Sequence, residues 1–538
     1  MPTSAVMIND AASMMRFRRE CRAKWGSLLQ PASANGEHDR LVCRPAELPA
    51  ICGWVTQEAG CYSFATLVAE EREDSGITLT YVFYRDHASP WVDVVVRLAP
   101  KESVVPSISE SVHAADWHER EIEDLFGIHF EGHPRLGDFI LHEDWPEGVN
   151  PMRRSFDVRR ELHHAEDQVT WEAPTIVMAP GGFAMPIGPV FSDFAESAHF
   201  LLETVGEDVI HTIPRFFYKY RGVEKLAESK PIDSVLLLSE RFSGIAAFAH
   251  GLAFCQAIEA IGRIEVPRRA CVLRTMFAEL ERLRHHVAAI TAICGSTALA
   301  VANSQAALIE EELLRLSGRI AGHRYFFGLV AAGGLTRDLS DEQRRLAELS
   351  VADAAAKLRR LHEMLRVSSS FLDRLEEVGI IAHDEAVAYG LVGPVARASG
   401  VNQDMRALFP YAAYDAIRPV VPVENEGDGY ARLRILFQEA EQSAAMIHEA
   451  LGFVPIGSVK ANFNHLPAGA ALAAVEAPLG AAFHWVRIDD NGTVQRYRIA
   501  PPSFANWHAF PLAAENFAFQ DFPIILASFG LSNAECDR

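Results

Sequence analysis

Two short segments of this chain carry the polar side chains best suited to chemistry. The first runs from Arg241 to His250 and the second from Ser528 to Arg538. His250 could relay a proton or donate a hydrogen bond, although a histidine in an alanine-rich helical turn is more often a buried structural residue. Glu535 could serve proton transfer, and a solvated or salt-bridged carboxylate is an equally good interpretation. Arg241, His250 and Glu535 are therefore the candidate catalytic residues.

The cysteines form no recognisable metal-binding pattern. None of the eight is spaced C-x-x-C, so neither a zinc knuckle nor an iron–sulfur cluster is expected, and no disulfide framework is visible. The sequence also lacks a G-x-S-x-G elbow, a P-loop and a G-x-G-x-x-G motif, so serine hydrolysis and direct binding of NAD are not expected. The cysteines are Cys21, Cys43, Cys52, Cys61, Cys255, Cys271, Cys294 and Cys536.

The composition indicates a globular protein with more than one domain. A chain of 538 residues is too long for a single core, and two or three domains are expected. The formal net charge of −21 argues against nucleic-acid binding, which needs a cationic surface. The first ten residues do not form a signal peptide, and the longest apolar run, residues 287–302, is shorter than the roughly 20 residues of a membrane span. We expect a cytoplasmic protein that meets a membrane only through partners.

The residue patterns predict an α+β protein whose first domain is a small α/β unit. Residues 77–84 and 91–96 are β-branched and aromatic, and residues 86–90 have turn composition, which predicts a hairpin. A helix is expected from about residue 107 to Phe126. Residues 153–173 are charged and poor in apolar side chains, so we interpret them as a linker.

Beyond about residue 180 the pattern predicts a large, mainly helical bundle flanked by small β elements. Leu358, Leu361 and Leu365 mark one helical face, and Val266-Pro267 should open a long helix. The apolar run 287–302 contains small residues that suit a tightly packed interior helix. Near the end, residues 483–488 and 494–499 flank Asp-Asn-Gly, which predicts a second hairpin.

The two polar segments resemble the metal-binding motifs of nickel–iron hydrogenase large subunits, R-x-C-G-x-C-x-x-x-H and S-x-D-P-C-x-x-C-x-x-R. The four cysteine positions of those motifs are occupied here by Ser243, Ala246, Ser532 and Glu535. A soft metal centre needs thiolates, which a hydroxyl, a methyl and a carboxylate cannot replace. The resemblance therefore implies a relative with degenerate metal-ligand positions and no metal, and not an active hydrogenase.

Further segments extend the resemblance over nearly the whole chain. Residues 119–128 and 132–134 resemble the signature of the 30-kDa subunit of respiratory complex I, E-R-E-x-x-D-x-F-G-I…G-H-P, although Gly137-Asp138 stands where a basic pair is usual. On spacing alone, residues 119–128 could equally be an amphipathic helix end. Other segments resemble the 49-kDa subunit and the large subunit of energy-converting hydrogenases; these are residues 187–190, 220–226, 267–283, 393–400 and 410–414. The implied division is 1–152 as the 30-kDa-like domain, 153–179 as linker and 180–538 as the 49-kDa-like domain.

The chain departs from the family patterns both at a position beside the hydrogenase metal and at positions of the quinone pocket. Leu479 replaces the arginine of the hydrogenase motif E-A-P-R-G, which removes a fixed charge. The histidines and the tyrosine expected of a quinone pocket are replaced at Phe191, Ala195 and Gly244.

The resemblance implies a subunit of a membrane-associated oxidoreductase complex, peripheral on the inner face of the cell membrane. Its partners would be an iron–sulfur small subunit and membrane-arm subunits. The chain itself would hold no bound cofactor, and quinone is the one candidate ligand. Two functions remain open. The chain either takes part in passing electrons to quinone or a similar acceptor, or is a non-catalytic scaffold between the small subunit and ion-pumping membrane subunits.

Overall fold

The chain forms an α+β structure, as the sequence predicted. A computed structural model describes residues 16–30, 38–60, 62–72, 76–86, 91–159, 180–191, 196–463 and 465–538. These divide into two compact units, Met1–Glu172 with Ala388–Gly390, and Ala173–Val387 with Leu391–Arg538. The expected boundaries at residues 152 and 179 stay a prediction, and residues 160–179 of the expected linker lie outside the described residues.

The first unit contains a five-stranded sheet in the order β1-β2-β5-β4-β3. Strands β2 and β5 are parallel and the other neighbours are antiparallel, so the predicted hairpin is the pair β4–β5. The turn residues 87–90 lie outside the described residues. The strands are β1 Leu29–Gln30, β2 His38–Cys43, β3 Ser63–Arg72, β4 Gly76–Tyr84 and β5 Trp91–Leu98.

Residues 16–25 are helical, and helices α1 Leu48–Gln57 and α2 Asp116–Phe126 follow in this unit. Helix α2 begins later than predicted because the segment before it is held by a side chain of the helix itself. Glu119 accepts hydrogen bonds from the Ser107 hydroxyl at 2.5 Å and the Ile108 N–H at 3.0 Å. Burial raises the pKa of Glu119 to about 7. A short parallel pair, β6 Val104–Pro106 and β7 His129–Glu131, flanks the helix.

The second unit is built around long helices that pack on one another. The long helix expected after Val266-Pro267 is present, and all three leucines of the predicted face are buried on one helix of this unit. The helices are α3 Val223–Ala227, α4 Ile232–Arg241, α5 Ala247–Gly262, α6 Arg268–Ser296, α7 Ala300–Ala321, α8 Asp341–Leu365, α9 Ser369–Leu372, α10 His383–Ala388, α11 Gly393–Ala398, α12 Met405–Leu408, α13 Gly429–Gly452, α14 Pro502–Ala513, α15 Phe522–Phe529 and α16 Asn533–Asp537.

The apolar run 287–302 does not form one helix. Helix α6 ends at Ser296, Ala298 has a positive φ of 62°, and α7 begins at Ala300. The left-handed residue reverses the chain, so that the two helices pack side by side. Among the described residues, no helix combines the length and apolarity that crossing a membrane requires.

Small antiparallel sheets flank the helices of the second unit. One has the order β17-β10-β9-β8 and another the order β11-β16-β15-β14, in which β15–β16 is the predicted second hairpin; β12 and β13 form a short pair. The strands are β8 Gly182–Ile187, β9 His199–Val205, β10 Asp208–Arg215, β11 Lys230–Pro231, β12 Val330–Ala331, β13 Gly334–Leu335, β14 Gly469–Ala477, β15 Gly480–Ile488, β16 Thr493–Ala500 and β17 Phe517–Ala518.

Candidate functional site

The two polar segments lie together in the second unit. The loop between α4 and α5 leads into the first turns of α5, which carry His250, while the last turn of the described chain is α16, which carries Glu535. The His250 Nε2 atom lies 3.0 Å from Glu535 Oε1, and both side chains are completely buried. The sequence separation is 285 residues, so only the tertiary fold creates this pair.

Glu535 is the centre of a dense set of hydrogen bonds. Its Oε2 atom accepts the Ser503 N–H at 3.0 Å and a very short bond from the Ser503 hydroxyl. Its Oε1 atom accepts from His250, and the Ser243 hydroxyl donates to the same atom at 3.5 Å. A buried carboxylate is tolerated only when its lone pairs are engaged in this way.

The hydrogen bonding continues away from Glu535 through two further buried side chains. His250 Nδ1 lies 3.0 Å from His484 Nε2, and His484 Nδ1 lies 2.6 Å from the Tyr497 hydroxyl. Burial raises the pKa of Tyr497 well above its ordinary value and lowers that of His484 well below its own, so both are neutral. With Tyr497 as donor to His484, each histidine carries its proton on Nε2 and each bond has one donor and one acceptor.

This chain of four groups is suited to proton transfer. In the assignment above, the protons all point from Tyr497 toward Glu535. A shift of each proton along its own hydrogen bond would protonate Glu535 and leave Tyr497 as a phenolate, so a net transfer requires that Tyr497 takes up a proton from a further donor.

The other predicted site residues have different surroundings. Ser532 caps α16 by accepting the Glu535 N–H at 3.1 Å, and its hydroxyl donates to Glu196 at 2.9 Å. Ala246 is buried and its carbonyl accepts the His250 N–H at 3.0 Å. Arg241 lies apart from this cluster. Its half-exposed side chain donates to the Leu237 carbonyl and pairs with Glu240.

The start of α5 is fixed by a carboxyl group from another helix. Glu281 of α6 accepts the N–H groups of Phe248 and Ala249 at 2.8 and 2.9 Å, which satisfies free donors in the first turn of α5. Burial raises the pKa of Glu281 to about 7. This contact positions His250 one residue further along the helix.

The end of the described chain is also tied down. Asp537 accepts the N–H groups of Phe217 and Lys219 at 2.9 Å each, and the Arg538 carbonyl accepts the Arg221 N–H at 2.9 Å. Burial raises the pKa of Asp537 to about 6. These bonds hold α16, and with it Glu535, against the strands and loops of the second unit.

The donor set at the four motif positions is two hydroxyls, a methyl and a carboxylate. Among the residues that the structure describes, no group of three or more His, Cys, Asp or Glu side chains is arranged to hold a metal ion. Leu479 is buried, Phe191 is half-buried, Gly244 is exposed and Ala195 lies outside the described residues.

Sequence reasoning missed three residues of this cluster, His484, Tyr497 and Ser503. The first two lie on the two strands of a hairpin that the sequence did predict, and Val486 rather than His484 is directly opposite Tyr497. His484 on a largely apolar strand was a visible signal, whereas Tyr497 lies between Arg496 and Arg498. Their connection to His250 was not, because it spans 234 residues of sequence.

Comparison with known proteins agrees with the resemblance. The family model described as respiratory-chain NADH dehydrogenase, 49 Kd subunit, matches residues 306–466 and 459–538, and that of the 30 Kd subunit matches residues 41–162.

Similar proteins combine both parts in one chain. Formate hydrogenlyase subunit 5 of Escherichia coli (strain K12) is 29% identical over 91% of this chain and 87% of its own length. Hydrogenase-4 component G of the same organism is 30% identical over 83% of this chain and 78% of its own length. The C/D protein of the NADH-quinone oxidoreductase of Acinetobacter baylyi is 28% identical, with 83% and 82% covered. This chain belongs to the family of fused 30-kDa/49-kDa-type subunits found in complex I and in formate hydrogenlyase-type hydrogenases.

Proposed function

We propose that this chain is the fused core subunit of a membrane-associated redox complex that lacks a nickel–iron centre. It would lie peripherally on the inner face of the cell membrane and join an iron–sulfur small subunit to membrane-arm subunits. The observation that carries the proposal is the Glu535 carboxylate, bonded to His250 at 3.0 Å and to Ser503, at a position where the hydrogenase motif has a thiolate.

The side chains at the four motif positions are poor ligands for a nickel–iron centre. Thiolates bind soft metal centres, whereas the side chains here offer hard oxygen atoms that are already engaged. Glu535 would have to give up its bonds to His250 and Ser503 to become a ligand, which would leave buried donors unpaired.

We further propose that the complex passes electrons to quinone or a similar acceptor. A relative that is similar over most of the chain is named as part of an NADH-quinone oxidoreductase. Electrons would arrive from an iron–sulfur cluster on the small subunit, and this chain would hold no cofactor of its own. Reduction of a quinone takes up protons as well as electrons, and the hydrogen-bonded groups from Tyr497 to Glu535 offer a route along which a proton could move.

A specific observation favours a second candidate, the non-catalytic scaffold. Both ring nitrogens of His250 are engaged inside the protein, by His484 and Glu535, and the side chain is completely buried. In this arrangement His250 cannot also donate to an acceptor molecule. As a scaffold, the chain would couple the small subunit to ion-pumping membrane subunits without taking part in chemistry.

The test of the metal proposal is the composition and activity of the purified complex. Elemental analysis is expected to find no nickel with this chain, and hydrogen uptake with a dye acceptor is expected to be absent. Stoichiometric nickel on the chain would overturn the proposal.

The two functions are separated by His250→Ala, with the exposed His448→Ala as the matched control. In the quinone function, turnover with a quinone acceptor falls per assembled complex, because the proton chain is cut between His484 and Glu535. In the scaffold function, turnover per assembled complex changes by no more than it does in the control, although loss of a completely buried side chain lowers the yield of assembled complex.

A further inference from the structure

A second buried cluster lies in the same unit, where α6, α11, α12, α13 and β14 meet. It contains more ionisable groups than the site around Glu535, and no member of it belongs to that site. None of its charged side chains exposes more than 3% of its surface. The members are the carboxyl groups of Glu279, Asp404, Glu439 and Glu476 and the guanidinium groups of Arg282, Arg397 and Arg406.

The charges of this cluster do not balance. Four ionised carboxylates and three guanidinium groups would leave one net negative charge in a completely buried place. An uncompensated buried charge is costly, and such a group takes up a proton instead. The cluster therefore has to hold one additional proton, either on a histidine beside it or on one of its carboxyl groups.

The neighbouring histidines do not carry that proton. His286 Nε2 donates to Glu439 Oε2 at 2.8 Å, while His286 Nδ1 has no hydrogen-bond partner among the described residues. The rings of His286 and His285 are both buried, and burial opposes a positive charge on an imidazole. His285 Nδ1 also has no hydrogen-bond partner among the described residues, and burial lowers the pKa of both histidines. Both are neutral, so the proton belongs to a carboxyl group.

Arg406 stabilises the ionised form of two of the carboxyl groups. Its guanidinium donates to Asp404 Oδ2 at 2.6 Å and to Glu279 Oε1 at 3.0 Å. Glu279 also accepts the hydroxyl groups of Tyr414 and Ser443, both at 2.6 Å. Hydrogen bonds of this kind favour the ionised form.

Donors on two sides of Glu439 stabilise its ionised form in the same way. Its Oε1 atom accepts the Arg397 Nε–H at 2.6 Å, its Oε2 atom accepts from His286, and Arg282 lies 3.8 Å away. These cations and donors hold the pKa of Glu439 well below its ordinary range, in spite of burial.

Of the four carboxyl groups, Glu476 has the fewest contacts that stabilise an ionised form. It accepts one N–H of Arg397 at 2.9 Å and the backbone N–H of Met405 at 2.9 Å. The same Arg397 nitrogen lies 3.6 Å from Asp404, so two carboxyl groups share it. Arg282 donates to the backbone carbonyl of Glu476 and not to its side chain.

We propose that Glu476 holds a proton in the folded protein and that this cluster is a buried proton-binding site. Burial, and then the nearby Asp404, raise the pKa of Glu476 against the opposing effect of Arg397 and Arg282. Release of the proton would place a second carboxylate beside Asp404. Repulsion between the two carboxylates would then act on the start of α12, because its first residue, Met405, is hydrogen-bonded to Glu476.

The test is infrared spectroscopy of the full chain in its purified complex, in H₂O and in D₂O. An unionised carboxyl group has its own carbonyl band, which shifts on deuteration. We expect Glu476→Gln to lose one such band at neutral pH, whereas the exposed control Glu363→Gln loses none. A Glu476→Gln spectrum that keeps every band of the original protein would overturn the proposal.

Thermal melting at several pH values gives an independent readout. A carboxyl whose folded pKa exceeds its ordinary value of 4.5 contributes stability that declines as pH rises above 4.5. Glu476→Gln should therefore show a smaller fall of melting temperature with rising pH than the original protein. The amide is neutral and close in shape to the protonated acid, so the variant should fold. Failure to fold, or an unchanged pH dependence, would contradict the inference.

Discussion

Replacement of Glu535 by alanine should destabilise the second unit strongly. The side chain is completely buried and accepts hydrogen bonds from His250 Nε2, the Ser503 N–H and the Ser503 hydroxyl. Each donor left unpaired in a buried place costs about 1–3 kcal/mol. The Ser503 hydroxyl can rotate toward another acceptor, so two donors remain unpaired and we expect a total loss of roughly 2–6 kcal/mol.

The loss would be measured by denaturant unfolding of the full chain, with Glu363→Ala as the control. Glu363 is exposed, and its replacement should change the free energy of unfolding by no more than about 0.5 kcal/mol. Glu535→Gln keeps the shape of the side chain and one acceptor oxygen, so it should lose much less stability than Glu535→Ala. Equal stability of the Glu535→Ala and Glu363→Ala variants would refute the assignment of Glu535 as the centre of the site.

Three further predictions concern other parts of the chain. Deletion of Leu531–Arg538 should lower the melting temperature of the chain, since it removes the buried tail and its hydrogen bonds; unchanged melting would contradict the packing of α16. Glu281→Gln should reduce the decline of stability between pH 4.5 and about 7, because the folded protein holds a proton there that the unfolded chain has lost; an identical pH profile would argue against this. Gly127→Ala should lower the melting temperature more than Gly132→Ala. Both residues have a positive φ, +67° and +82°, which costs about 1 kcal/mol for alanine, but only at Gly127 would a Cβ also lie 2.5 Å from Asn150. Equal melting temperatures of these two variants would be the contrary result.

The helices and hairpins followed from local sequence patterns. Buried leucines at helical spacing predicted α8, and a proline marked the start of α6. Alternation and turn residues predicted the pairs β4–β5 and β15–β16. The break between α6 and α7 was missed, because apolar composition continues through the left-handed turn at Ala298. The late start of α2 was missed because it depends on hydrogen bonds to Glu119.

The family could also be read from the sequence, because its motifs are local strings of residues that keep their spacing. The same strings directed attention to His250 and Glu535. They also included Arg241, which lies at the surface and is bonded to neighbours on its own helix. A motif position gives the identity of a side chain but not its direction.

Residue types alone determined that this chain offers no thiolate at the four motif positions. Only the tertiary structure decided what those residues do, because the decisive contacts join positions far apart in the sequence. Glu535 meets His250 across 285 residues, and Glu476 meets Arg397 across 79. Whether a buried carboxyl group is ionised depends on the donors and charges that folding brings around it, and no local pattern in the sequence contains that information.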